Sequence, residues 1–235
     1  MKRIGIIGGM SYESTLHYYE QINRKVNERA GGLVSADLVL RSVNFGEYHQ
    51  LMETGNWDTI TYKLATEINH LHHKNQCAYV AIATNTMHKI INDQVAFMFP
   101  NLIHIGDCIA EKCREISAKR VLLLGTKFTM TEDFMRKRLE SHGLSVMDTS
   151  SYPEEINEIN RIIFDELCHG LVVPESKEFM LNFVYQFPCD RDERPDAVVL
   201  GCTELNMILK PEDIDIPLID STEAHIDKLV NLCLE

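Results

Sequence analysis

The sequence predicts an α/β fold of two pseudo-symmetric lobes, each a mainly parallel sheet flanked by helices, with an active site in the cleft between them. Three observations carry this. Short apolar runs alternate with amphipathic stretches, the pattern of parallel strands covered on both faces by helices. A strand-like segment ending in glycine recurs half a chain later. Polar turns follow the apolar runs, at the sheet edge where open α/β folds collect ligands.

In chain order, Arg3 to Ile7, Leu38 to Val43, Tyr79 to Ala83, Leu102 to Ile105, Val121 to Leu124 and Ala197 to Leu200 are runs of four to six residues. They are too short for helices and mostly apolar, so they read as buried strands. Ser14 to Glu28 and Asp58 to His72 repeat their apolar residues at helical spacing. Asp190 to Pro195 reads as a charged surface loop, and Thr222 to Leu234 as a last helix free to pack back onto the first lobe.

The internal repeat keeps a nearly constant register. Lys2-Arg3-Ile4-Gly5-Ile6-Ile7-Gly8 echoes Lys119-Arg120-Val121-Leu122-Leu123-Leu124-Gly125 at 119 − 2 = 117 residues, and Tyr79 to Thr84 matches Ala197 to Cys202 at 202 − 84 = 118. Thr84 and Cys202 become symmetry mates. The expected division is a first lobe over 1–117, a second over 118–221, and a C-terminal helix over 222–235 that packs back on the first.

Composition excludes several classes. With 45% apolar and 25% charged residues the chain is globular. A formal charge of −12 without a basic cluster argues against nucleic acid. No window approaches the roughly 18 apolar residues of a membrane span. The apolar stretch from Ile4 to Met10 is short and broken by glycines, unlike a signal peptide. A cytoplasmic protein is therefore expected.

Seven cysteines stand at 77, 108, 113, 168, 189, 202 and 233, with neither a CxxC pair nor zinc-site spacing, so no disulfide framework and no metal are expected. Such cysteines are either small buried hydrophobes or reactive thiols. Cys202 alone lies between a glycine and a threonine at a strand end, beside an expected helix N-terminus that would favour its thiolate. Gly5-x-x-Gly8-Gly9 departs from G-x-G-x-x-G, and no acidic residue closes the second strand, so a dinucleotide is not expected. These glycines either permit a tight turn or admit a ligand. The main-chain N–H groups and hydroxyls of the turns suit a carboxylate without need of an arginine.

Four motifs stand in order: Gly8-Gly9-Met10-Ser11-Tyr12-Glu13-Ser14-Thr15, Thr84-Asn85-Thr86-Met87-His88-Lys89, Gly125-Thr126-Lys127-Phe128-Thr129-Met130 and Gly201-Cys202-Thr203-Glu204-Leu205. Together they resemble the aspartate/glutamate racemase family over nearly the whole chain. The resemblance implies cofactor-independent racemisation of aspartate or glutamate without pyridoxal phosphate. One group removes the α-proton and another returns a proton on the opposite face. It further implies a homodimer and the acidic amino acid as small-molecule partner.

Cys202 matches the family's second-lobe cysteine, whereas the first-lobe position, usually cysteine, is Thr84. A Thr/Cys pair is similar to the branch specific for L-aspartate and L-glutamate. By the same resemblance Met10, Asn85, Thr86 and Thr203 bind the substrate carboxylate. Glu47 and Glu166 either receive its ammonium or orient a base, or are solvated carboxylates of a helix or loop, and His88 is either a proton partner of Thr84 or a capping or core residue. Two alternatives stay open. One is a single-cysteine decarboxylase or isomerase, similar to the arylmalonate decarboxylases. The other is an acidic-amino-acid-binding protein of weak catalytic power.

Overall fold

The computed structural model describes residues 1–186 and 194–235, so most of the loop expected over Asp190 to Pro195, with Cys189, lies outside the described residues. The chain divides into two compact units. One comprises Met1–His104 with His225–Glu235, and the other Ile105–Ala224.

The first unit contains β1 (Ile4–Gly8), α1 (Tyr12–Ala30), β2 (Leu38–Ser42), α2 (Phe45–Glu53), α3 (Trp57–Asn69), β3 (Tyr79–Ile82), α4 (Asp93–Met98) and β4 (Leu102–Ile103). Its sheet has the order β2-β1-β3-β4, with every pairing parallel. All five residues of β1 are buried, as a strand covered on both faces requires. On one face Ile4 and Ile6 pack with Tyr18, Ile22 and Val26, which recur at helical spacing along α1.

The second unit contains α5 (Ile105–Glu115), β5 (Arg120–Gly125), α6 (Lys127–Thr131), α7 (Asp133–Ser141), β6 (Ser145–Val146), α8 (Pro153–Arg161), α9 (Pro174–Gln186), β7 (Ala197–Gly201), β8 (Leu218–Asp220) and the first residues of α10 (Ser221–Leu234). Its sheet repeats the topology as β6-β5-β7-β8, again parallel throughout. Beyond its first turn α10 belongs to the first unit. There Ile226, Leu229, Val230 and Cys233 join the core under β1.

The register of the two sheets agrees residue by residue. Ile4 lies opposite Tyr79, and Val121 opposite Ala197. Continuing along both pairs places Thr84 and Cys202 at equivalent positions, five residues beyond Tyr79 and Ala197 respectively.

Several boundaries differ from expectation. The division falls after His104 rather than near Ser117, because the buried face of α5, made of Ile105, Ile109, Ala110 and Cys113, packs with Val121, Leu123, Met135 and Leu139. It falls again after Ala224 rather than 221. The helix expected over Asp58 to His72 ends as an α-helix at Asn69 and continues as a π-helical turn over His70–Lys74. β6 and β8, of two and three residues, each include a polar residue, Ser145 and Asp220, and so do not stand out as apolar runs.

Candidate functional site

The turn after β1 needs glycine twice. A Cβ on Gly8 would lie 2.5 Å from the Thr15 side chain. Gly9 has φ 90°, and a Cβ there would run into the main-chain oxygen of Val43. Thr15 Oγ1 accepts from the Gly9 N–H at 2.6 Å and donates to the Ser11 carbonyl at 2.7 Å. Ser11 Oγ accepts from the Ser14 N–H at 3.2 Å and caps α1. Of the two roles open to these glycines, the tight turn is the one this geometry displays. Met10, inside the turn, is buried.

Thr84 follows β3 and is half-buried. Its N–H donates to the Ile82 carbonyl at 2.9 Å, and its own carbonyl accepts from His88 Nδ1 at 2.8 Å. Asn85 and Thr86 are buried where the chain enters a 3-10 turn over Thr86–Ile90. His88 is itself buried, with its ring centroid 4.6 Å from that of His104 and 6.0 Å from that of His225. His225 bonds the Ile103 carbonyl through Nε2 at 3.1 Å and the Tyr18 hydroxyl through Nδ1 at 3.0 Å. Since a carbonyl only accepts, the network assigns the proton to Nδ1 in His88 and to Nε2 in His225, with Tyr18 donating. His88 therefore fixes the main chain of Thr84 from within the core.

At the equivalent place in the second unit, all five residues of β7 are buried. Gly125 and Gly201 lie opposite each other across β5 and β7. A Cβ on Gly201 would lie 2.7 Å from the Leu124 carbonyl, so the strands close up directly before Cys202. The Cys202 thiol donates to Glu204 Oε2 at 3.0 Å, and the Thr203 hydroxyl donates to the same oxygen at 2.6 Å. Cys202, Thr203 and Glu204 are exposed by only 7%, 9% and 5%, so the contact is made with little competition from water.

Burial first, and then the charge and hydrogen bond of Glu204, hold the Cys202 thiol well above the ordinary cysteine value. This corrects the expectation of a favoured thiolate. Cys202 leads into a three-residue 3-10 turn, Leu205–Met207, rather than an α-helix. That turn offers no aligned run of peptide dipoles to offset burial and a neighbouring carboxylate.

The remaining expected residues stand in distinct surroundings. Glu47, in the first turn of α2, is exposed and pairs with Lys63 Nζ at 3.0 Å. Its hydrogen bond and charge pairing with Lys63 lower the carboxyl below the usual range. Glu166 closes a π-helical turn over Ile162–Glu166 and is buried. Its Oε1 accepts from Ser176 Oγ at 3.0 Å and lies 2.9 Å from Arg161 Nη2. Its Oε2 is buried without a hydrogen-bond partner among the described residues.

Glu204 belongs to the Gly201-to-Leu205 motif, but the sequence alone assigns it no role. The signal available was an acidic residue two positions after a strand-end cysteine, whose meaning depends on the turn that folds it back onto the sulfur. Among the described residues no cluster of three or more His, Cys, Asp or Glu side chains could hold a metal ion, and no helix is long and apolar enough to cross a membrane.

A two-unit α/β protein with repeated parallel sheets and polar residues at equivalent strand ends defines a narrow class. Residues 7–229 match the model of the Asp/Glu/hydantoin racemase family, and the chain belongs to that family. It is 33% identical to a candidate Asp/Glu racemase of Yersinia pestis, with full coverage of both chains and a TM-score of 0.89. It is 36% identical to PH1733, an aspartate racemase homologue of Pyrococcus horikoshii, again with full coverage and a TM-score of 0.84. It is also 25% identical to the broad specificity amino-acid racemase RacX of Bacillus subtilis over 159 residues. That match spans 66% of this chain and 65% of RacX, just under two thirds of the relative's length.

Proposed function

We propose that the chain racemises aspartate or glutamate by proton transfer at the α-carbon, without a cofactor, using Cys202 and Thr84 as the two acid/base groups. The observation that carries this is the identical register of β1 with β3 and of β5 with β7, which makes the two residues counterparts in a family of racemases.

Each group serves one face of the α-carbon. Loss of the α-proton leaves an electron pair that spreads into the substrate carboxylate, and donors around that carboxylate stabilise the developing charge. The Asn85 and Thr86 side chains and the main chain at Met10 and Thr203 are assigned that task. Glu166, whose Oε1 pairs with Arg161 but whose Oε2 is buried without a hydrogen-bond partner among the described residues, is assigned the substrate ammonium. Glu47 is exposed and already paired with Lys63.

Thr84 works differently from a thiol. A hydroxyl carries one donor and two acceptor lone pairs. It can hand its proton to the carbanion while taking one from water, without becoming an alkoxide, and the hydroxide left is neutralised when the proton taken from the substrate on the cysteine side is released. Because the enantiomers have equal free energy in water, this step limits kcat/KM equally in both directions.

The test is chiral chromatography of reactions started separately from the L and D forms of each amino acid. Expected is convergence on the racemate with equal kcat/KM from either side, for aspartate, glutamate or both. Absence of inversion, with release of carbon dioxide from an arylmalonate, would favour the decarboxylase reading instead.

A further inference from the structure

We infer that Glu204 is the proton store of Cys202, a positioning residue that takes the thiol proton when the sulfur acts as a base and gives it back when the sulfur acts as an acid. The inference rests on the racemase reading for its chemical consequence, but its geometry stands independently. The thiol is directed at Glu204 Oε2 at 3.0 Å, and the Thr203 hydroxyl at 2.6 Å holds that same oxygen in place.

A buried thiol is not a base until it loses its proton, and bulk water is a poor recipient when Cys202 as a whole is only 7% exposed. Glu204 supplies a recipient in contact. In the direction where Cys202 abstracts, the S–H proton passes to Glu204 Oε2 and the sulfur lone pair takes the α-proton. The C–H electron pair stays with the substrate. The Cys202/Glu204 pair thus goes from one proton and one negative charge to two protons and none. In the reverse direction the thiol gives its proton to the carbanion and Glu204 re-protonates the sulfur, restoring the starting state. The pair gains one proton as the substrate loses one, so the buried charge does not increase as the α-proton is removed.

The groups with an electrostatic effect on the thiol are Glu204 and, more weakly, Cys168. Asp220, on β8 beside β7, is engaged by Asn206 Nδ2 at 2.8 Å and by the N–H groups of Thr222 and Glu223 at 2.7 and 3.2 Å. Arg161 is directed to Glu158 and Glu166. Glu204 is therefore the carboxylate whose removal the thiol should register.

The experiment compares wild type, Glu204→Gln and Glu204→Asp by two readouts. The first is the iodoacetamide alkylation rate at Cys202 against pH, followed by peptide mass spectrometry without substrate. The second is α-proton exchange of aspartate and glutamate in heavy water. In Glu204→Gln the thiol loses its anionic neighbour, so alkylation at neutral pH should rise about tenfold, one unit of thiol acidity. Exchange should fall about a hundredfold, the scale of one lost acid/base partner.

A more acidic thiol in a slower enzyme is a pairing that a merely structural role does not produce. Glu204→Asp, which keeps the charge on a shorter arm, should restore part of the exchange and most of the slow alkylation. If Glu204→Gln does not fold, Glu204→Asp read against wild type decides, and unaltered exchange and alkylation would then overturn the inference. Exchange that falls with alkylation unchanged, or alkylation that rises with exchange unchanged, would overturn it too. No exchange in wild type, with alkylation still sensitive to Glu204, would refute the racemase reading and leave the contact between Cys202 and Glu204 standing.

Discussion

The Cys202 thiol donates to Glu204 Oε2 at 3.0 Å across a turn of two residues, and the counterpart place two residues past Thr84 holds Thr86, not a carboxylate. The symmetry of the sheets therefore carries an asymmetry of chemistry. One strand end presents a buried thiol with a carboxylate to take its proton. The other presents a hydroxyl whose main chain is fixed by His88.

That asymmetry makes Thr84 the weaker member. Thr84→Cys should raise the inversion rate about tenfold or more, within the range spanned by general acid–base catalysis. Thr84→Val, of similar shape but without a proton, should suppress inversion while Cys202 still washes deuterium into one enantiomer. Chiral chromatography together with mass spectrometry of the recovered amino acid reads both effects.

Gly9→Ala tests the turn that positions Met10 and Ser11. With φ at 90° and the Val43 carbonyl where the methyl must go, the variant should lose about 1–3 kcal/mol. Urea unfolding monitored by circular dichroism would show a lowered midpoint. Gly31→Ala, also at positive φ but with nothing within 4 Å of its Cβ, should lose less.

Asp107 gives the second unit a pH-dependent contribution. Burial works against its ionisation, but Arg138 through Nε and Nη2 at 2.6 Å each, and His142 through Nε2 at 2.8 Å, outweigh it and hold the carboxyl below its usual range. A folded value below the unfolded one, near 3.9, contributes stability that is present above that pH. It is lost as pH falls through the folded value. Asp107→Asn should therefore unfold more readily than wild type at pH 7, by about 1 kcal/mol for this half-exposed pair. The difference should shrink as pH falls below the unfolded value near 3.9 and through the lower folded one, as denaturant titrations across pH would show.

Much of the fold was legible because buried parallel strands advertise themselves. The six apolar runs correspond to β1, β2, β3, β4, β5 and β7, but β2 is not the buried strand expected, since as an edge strand it leaves Leu40, Arg41 and Ser42 exposed. The nearly constant offset anticipated the shared strand order. β6 and β8 left no such run, because Ser145-Val146 and Leu218-Ile219-Asp220 each mix a polar residue into two or three positions, whereas the equally short β4 is Leu-Ile. The boundary near Ser117 was misplaced because α5 is amphipathic on its own, and only contacts reveal which sheet its apolar face covers. At the candidate site the strand-end positions of Thr84 and Cys202 were readable. The protonation of Cys202 was not, because it depends on a short 3-10 turn replacing an expected helix and on Glu204 folding back to the sulfur.

The most direct measurement is proton NMR in heavy water, following the α-proton signal of L- and D-aspartate and L- and D-glutamate with wild type and with Cys202→Ala. Expected is loss of the signal from both enantiomers of at least one amino acid in wild type, and a rate at least about a hundredfold lower in the folded variant. Undiminished exchange of both enantiomers by Cys202→Ala would contradict the assignment of Cys202 as the group that moves the proton.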